Sequence, residues 1–359
     1  MTATAAAEAV RRALELAPVI DGHNDWAWES RLTREYSVEG LEGPAAGHTD
    51  VVRLRRGRVG AQFWSVYVDD DGLGPAAVAQ TLEQIDWVHR LVEAYPDDFV
   101  LARSAADVEA ARASGRIASL LGAEGAHSLD DSPAVLRMLA ALGVRYLTLT
   151  HNRNSAWADS ATDEPAHGGL TERGRDYVRE LNRLGVLVDL SHVAPATMHA
   201  ALDVGSAPVI FSHSSCRALN DHPRNVPDDV LARLAGNGGV VMITFVPQFL
   251  DAAFRAWDDA GGEGTPPPVP IAVVADHVEH AREVAGVRHV GLGGDFDGVP
   301  RLPDGMSGVD AYPLLLDELA RRGWSAAELA GLAGANVLRV LRETDAAFAG
   351  NRPPTAMVR

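Results

Sequence analysis

Six short apolar runs of this chain each end in a side chain able to bind a metal ion or move a proton. PVIDGHND carries His23 and Asp25, IASLLGAEG carries Glu124, and RYLTLTH ends in His151. VLVDLSH ends in His192, PVIFSHS contains His213, and HVGLGGDFDG contains Asp295. Neutral imidazoles and carboxylates are the donors of hydrolytic metal centres, and a carboxylate left free beside the ion can shuttle protons.

The individual roles follow from residue type and position. His23 and Asp25 form an H-x-D pair, and on a strand residues i and i+2 point to one side, so both reach one ion. Glu124 is the candidate bridge between two ions; the competing reading is a loop carboxylate paired with an arginine. His192 and His213 sit in similar frames, DLSH and IFSH, and suit zinc. His151 is either a sixth ligand or a neutral donor to a developing oxyanion. Asp295 is placed to hold an attacking water, with Asp297 as the nearby alternative. Arg224, in DHPRNVPDD, suits a substrate carboxylate, though its spacing equally permits a surface ion pair with Asp228 or Asp229.

Other chemistry-bearing residues read as structural. Cys216 lies in SHSSCRAL and reads as a packed small residue. His277 and His280, in DHVEH, fall on a predicted outer helix and read as solvated. Arg153 and Arg217 lie near the site in sequence and point weakly to acidic substrate side chains. All 32 basic residues are arginine. No Schiff-base lysine, P-loop lysine or carboxylated bridging lysine is therefore possible, so a side-chain bridge between two metals must be a carboxylate.

These residues need a scaffold that gathers strand ends. Each run is β-branched and aliphatic, as a buried parallel strand requires. Eight strands are predicted near 18–23, 60–69, 117–123, 144–150, 186–191, 208–212, 239–246 and 289–294. Helical patterns fall at 76–95, 132–143, 171–185, 195–204, 227–236, 270–285, 311–322 and 325–343. An open sheet collects ligands from two or three strands at a switch point. Polar endings on six of eight strands call for a closed (β/α)8 TIM barrel of α/β class, whose strand C-termini all face one end. The 359 residues are read as a single barrel domain, 1–359, with insertions at about 26–57 and 247–270, the latter a candidate lid or subunit contact.

Composition narrows the partners. The formal charge of −17 disfavours nucleic acid and anionic membrane. No apolar run reaches the length of a membrane span. The N-terminal stretch reads as an amphipathic helix and the C-terminal NRPPTAMVR as polar, so a cytoplasmic location is expected.

The stretches IDGHND, VGAQFWSVYV, LGAEG, LTLTHNRNSAWADS, GLTERGRDYVRELNRLGVLVDLSHV, IFSHSS, RNVPDD, GLGGDFDGV and GANVLRVL together resemble the membrane (renal-type) dipeptidases, peptidase family M19 of the metal-dependent amidohydrolase superfamily. The resemblance implies two Zn2+ per chain and hydrolysis of dipeptides, including L-Xaa-D-Xaa, by a metal-bridging hydroxide. It implies that His23 and Asp25 bind one zinc, His192 and His213 the other, and that Glu124 bridges. It makes His151 and Arg224 substrate-binding, Asp295 the acid-base residue and a homodimer possible. Hydrolysis of another amide, an N-acyl amino acid, a lactam or a lactone is the alternative on the same site, and an inactive binding barrel is a second.

Overall fold

The computed structural model describes residues 2–43, 46–70 and 72–350, so the polar C-terminal stretch lies outside the described residues. Nine parallel strands form one sheet: β1 (Val19–Asn24), β2 (Val59–Ser65), β3 (Phe99–Leu101), β4 (Ile117–Ala123), β5 (Val144–Thr148), β6 (Leu187–Asp189), β7 (Ile210–Ser214), β8 (Val240–Ile243) and β9 (Val290–Leu292). Their order is β2-β1-β9-β8-β7-β6-β5-β4, and β2 pairs with β4 from Ala61↔Ala118 to Ser65↔Gly122, closing an eight-stranded barrel. The short β3 pairs with the first residues of β4. It was not anticipated from sequence, because three residues, Phe-Val-Leu, are too few to show a period.

Helices return the chain between strands, and their ends carry local signals. Ser132 and Thr171 accept backbone N–H bonds as N-caps, while Gly143 and Gly185 end their helices in the left-handed region. The helix expected over 227–236 is instead two short turns, Asp228–Leu231 and Leu234–Asn237. The helix Ala105–Ala113 was not anticipated. The polar stretch after β1 holds two helices, Trp26–Arg34 and Val51–Arg56. The stretch after β8 holds Pro247–Leu250 and Ala252–Asp259.

The barrel interior is plugged below the site. Ile20, Phe63, Leu120, Tyr146, Leu187, Ile210, Val240 and Met242 are buried in one cluster. On β4, Ala118, Leu120 and Gly122 share one face at a period of two, and Glu124 continues that phase at the open end. Gly122 is required there: a Cβ would lie 1.9 Å from Tyr146 Cζ, inside the ring. The missing side chain lets the tyrosine reach across the barrel beneath Glu124.

Gly122→Ala should therefore overpack the interior, costing about 1–3 kcal/mol. Chemical denaturation should show a lower midpoint, and an unchanged midpoint would remove this account of the glycine.

Candidate metal centre

The barrel brings all eight predicted site residues to one end. His23 lies within β1 and His213 within β7. Glu124 follows β4, while His151, His192 and Asp295 each fall three residues after β5, β6 and β9. His192 (φ 67°) and Asp295 (φ 60°) adopt the left-handed backbone conformation that non-glycine residues rarely accept. Each sharp turn aims its side chain inward, and such strain persists where the surroundings enforce it.

Glu124 organises the cluster. Its Oε2 is 3.4 Å from His23 Nε2 and accepts a bond of 3.1 Å from Ser65 Oγ. Its Oε1 is 3.0 Å from His192 Nε2, 3.4 Å from His213 Nε2 and 3.9 Å from His151 Nε2. One oxygen thus faces each half of the site. On the first side, Asp25 Oδ2 lies 3.1 Å and Asp295 Oδ1 3.9 Å from His23 Nε2. On the second, His192 Nε2 and His213 Nε2 face each other at 3.0 Å.

Partners behind the imidazoles set which nitrogen is free. Ser212 Oγ donates to Asp189 Oδ2 at 2.6 Å and lies 2.8 Å from His213 Nδ1, so that nitrogen carries the proton and Nε2 keeps its lone pair. Tyr146 Oη lies 2.8 Å from His23 Nδ1 and orients that ring. Asp70 Oδ2 lies 3.2 Å from His151 Nδ1 and also accepts from Arg153 N. These orienting groups are typical of metal-binding histidines. Sequence reasoning missed Tyr146, Ser212, Asp189 and Asp70. Asp189 carried a signal, since a carboxylate in the apolar run VLVDL must be bonded when buried.

Electrostatics divide the cluster: its second half holds neutral imidazoles, while the crowded carboxylates of its first half favour a proton on His23 when no cation is bound. Burial, reinforced by Arg224 and neighbouring imidazoles, holds His192 and His213 well below the usual histidine range, so both are neutral donors. Burial opposes charge on His23 too, but Tyr146, Glu124 and Asp25 outweigh it and raise its pKa. Burial also opposes ionisation of Asp70, yet the His151 bond prevails and brings it to about 2. Burial pushes Asp295 up to about 8, with Asp25 and Glu124 adding to the rise. Among the described residues, Asp25 Oδ1 and His192 Nδ1 are buried without a hydrogen-bond partner.

The donor set fits divalent cations. Three groups of three ligand atoms lie close enough to share an ion: His23, Glu124 and His213; Glu124, His151 and His192; His23, Asp25 and Asp295. The facing imidazoles and crowded carboxylates form a set of nitrogen and oxygen donors that suits zinc, manganese, iron or cobalt.

A cavity of about 560 Å³ opens above the cluster, walled by Trp28, Tyr67, Asn152, His222, Gln248 and Phe249 as well as the predicted residues other than His23. Arg224 lines it, only 3% exposed, with Nη1 unpartnered among the described residues. A surface pair is thereby ruled out for it: Asp228 bonds His280, and Asp229 bonds His199. Asp297 faces away and accepts from His48 N, leaving Asp295 as the carboxylate at the site.

The expectation that His277 and His280 are solvated fails for His277, which is fully buried between Cys216 and Leu250. Its helix, Ile271–Ala285, buries Val274, Val278 and Ala281, and His277 shares their face. Cys216 is buried, as its packed reading required, and its thiol donates to His277 O. Arg153 and Arg217 do not line the cavity. Arg217 donates to Pro223 O.

A closed parallel barrel with a histidine–carboxylate cluster at its C-terminal end defines a metal-dependent hydrolase of the amidohydrolase type. Residues 7–353 match the model of the membrane dipeptidases, peptidase family M19, and the chain belongs to that family of metallo-dipeptidases. An uncharacterized dipeptidase of Schizosaccharomyces pombe is 45% identical over 348 residues, covering 91% of this chain and 81% of the relative. The dipeptidase verJ of Clonostachys rogersoniana is 44% identical, covering 90% and 83%. A metallopeptidase from Rhodobacter sphaeroides, solved with a phosphinate mimic of L-Ala-D-Ala, superposes with a TM-score of 0.80 at 25% identity, covering 91% of this chain and 99% of that one. Among the described residues no helix is long and apolar enough to cross a membrane.

Gly298 tests the cluster. A Cβ there would lie 2.4 Å from both Asp25 Oδ2 and Asp295 Oδ1. Gly298→Ala should displace both carboxylates and weaken metal retention roughly 10- to 100-fold. Competition against a chelator measures this, and wild-type retention would show that neither carboxylate position matters to the metal.

Proposed function

We propose that the chain is a binuclear zinc dipeptidase whose substrates include L-Xaa-D-Xaa dipeptides. The division of the Glu124 oxygens, one toward His23 and one toward His192 and His213, carries this reading. His23 and Asp25 would hold one ion, His192 and His213 the other, with Glu124 common to both. Two such ions supply an acidified water as nucleophile and a Lewis acid for the scissile carbonyl. The L-Ala-D-Ala mimic bound by the Rhodobacter structure supports the choice of substrate class.

The chain's own residues supply the rest. Arg224 lines the cavity with its Nη1 still unpartnered among the described residues, and its guanidinium receives the substrate carboxylate in a charge-assisted bond. His151, held by Asp70, turns Nε2 toward the cluster, where it steadies the oxygen of the attacked carbonyl. Asp295, beside Asp25 at the cavity wall, would be ionised by the nearby cations and so take the proton of the attacking water and pass it to the leaving amine.

Purified protein should contain about two zinc ions per chain and hydrolyse dipeptides, and chelation should abolish turnover until zinc is restored. Elemental analysis with an L,L and L,D dipeptide panel checks this. Full zinc without turnover on any dipeptide would move the activity to another amide or ester.

Asp295→Asn should lower kcat by about 10²–10⁴-fold while the zinc content stays unchanged. Steady-state kinetics beside metal analysis decides it: retained turnover would exclude Asp295 from proton transfer.

A further inference from the structure

The cavity wall opposite the metal cluster is the turn Pro247–Leu250, which contributes Gln248 and Phe249. Three consecutive carbonyls of this turn are each met by a buried side-chain donor. Asn220 Nδ2 donates to Gln248 O at 2.9 Å, Asn225 Nδ2 to Phe249 O at 2.7 Å, and His277 Nε2 to Leu250 O at 3.0 Å. His277 Nδ1 accepts from Cys216 N at 3.1 Å, which places the ring proton on Nε2. Burial brings this histidine down to about 4, so it stays a neutral donor and acceptor at ordinary pH.

The loop that supplies two of these donors also supplies Arg224. Asn220 and Asn225 flank it, and Asn225 Nδ2 additionally donates to Asn220 O at 2.9 Å, tying the loop to itself. Arg224 Cζ lies 5.1 Å from the centre of the Phe249 ring, within cation–π range. The His222 ring packs on the same phenylalanine at 4.5 Å, and His222 Nδ1 accepts from Arg224 N. Arg224 Nη2 reaches His213 O at 3.4 Å. The guanidinium is thus held between the metal-site backbone and an aromatic face that the three donors fix.

We propose that Asn220, Asn225 and His277 are positioning residues for substrate binding: they hold the 247–250 turn so that Phe249 backs Arg224 and keeps its guanidinium at the cavity for the substrate carboxylate. This rests on the assignment of Arg224 as the carboxylate-binding residue. The turn is then a fixed wall of the specificity pocket at the start of the 247–270 stretch. The three donors touch neither substrate nor metal and act only through Phe249 and Arg224.

The test is a double-mutant cycle on a hydrolysed dipeptide, using Asn225→Ala, Arg224→Met and the pair, with zinc content measured in each. Asn225→Ala should raise KM roughly three- to tenfold, the worth of one buried hydrogen bond, with kcat and zinc nearly unchanged. In the Arg224→Met background the same substitution should change KM little, because its effect passes through the arginine. An equal rise in both backgrounds, or a fall in kcat at constant KM, would overturn the positioning role while leaving Arg224 in place. An unchanged KM for Arg224→Met alone would instead overturn the carboxylate assignment, and the proposal with it. His277 gives a second comparison: His277→Gln keeps a donor near Leu250 O and should retain near-native KM, whereas His277→Ala should match Asn225→Ala. If Asn225→Ala fails to fold, Asn220→Ala, which removes only the bond to Gln248 O, replaces it in the cycle.

Discussion

Everything at the open end of this barrel follows from placing one carboxylate among four imidazoles out of water. Glu124 is 4% exposed, His23 is fully buried and His213 nearly so. Burying such groups costs several kcal/mol each unless every charge and lone pair is answered. The fold answers them in two layers. Behind the cluster, Ser212, itself held by Asp189, meets His213 Nδ1 and Tyr146 meets His23 Nδ1, while Ser65 donates to Glu124; His192 Nδ1 is left without a partner among the described residues. In front, the remaining nitrogen and oxygen donors converge on each other, an arrangement that divalent cations would favour.

The same constraint accounts for the barrel's irregular features. A tyrosine in the interior layer is unusual beside Phe63, Leu120 and Ile210, and it is there because its hydroxyl meets His23 Nδ1. Gly122 on the neighbouring strand has no side chain because that ring occupies the space. β6 and β9 stop at three residues each, and the chain then turns through left-handed His192 and Asp295. A longer regular β6 would carry the inward phase of Leu187 and Asp189 on to Ser191 and leave His192 facing away from the centre.

The strands and their polar endings were legible in sequence because burial writes a continuous apolar run and a metal ligand interrupts it. All five proposed ligands could be found this way. The orienting groups could not, since a serine such as Ser212 or a tyrosine such as Tyr146 reads as ordinary strand composition until its partner's position is known. Asp70 lies 81 positions from His151 in the chain, so no local pattern joins them. His277 was misread for a different reason. Histidine in a helix invites a solvated reading, but its phase with Val274, Val278 and Ala281 already placed it inward.

The division of labour between barrel and loops bears on specificity. The cluster is built from strand ends and would serve any amide or ester that reaches it, as expected where one fold hosts many reactions. Recognition of a free carboxylate depends instead on Arg224, which comes from the loop after β7, and on Phe249, which comes from the turn after β8. These two segments are joined by side-chain donors to backbone carbonyls, so the joint does not depend on the identity of Gln248 or Phe249. Gln248 can therefore change without loosening the wall that carries it, whereas Phe249 is tied to Arg224 through its ring. A loop fixed through its main chain and variable at such a position is a natural place for substrate preference to diverge while the metal centre stays the same.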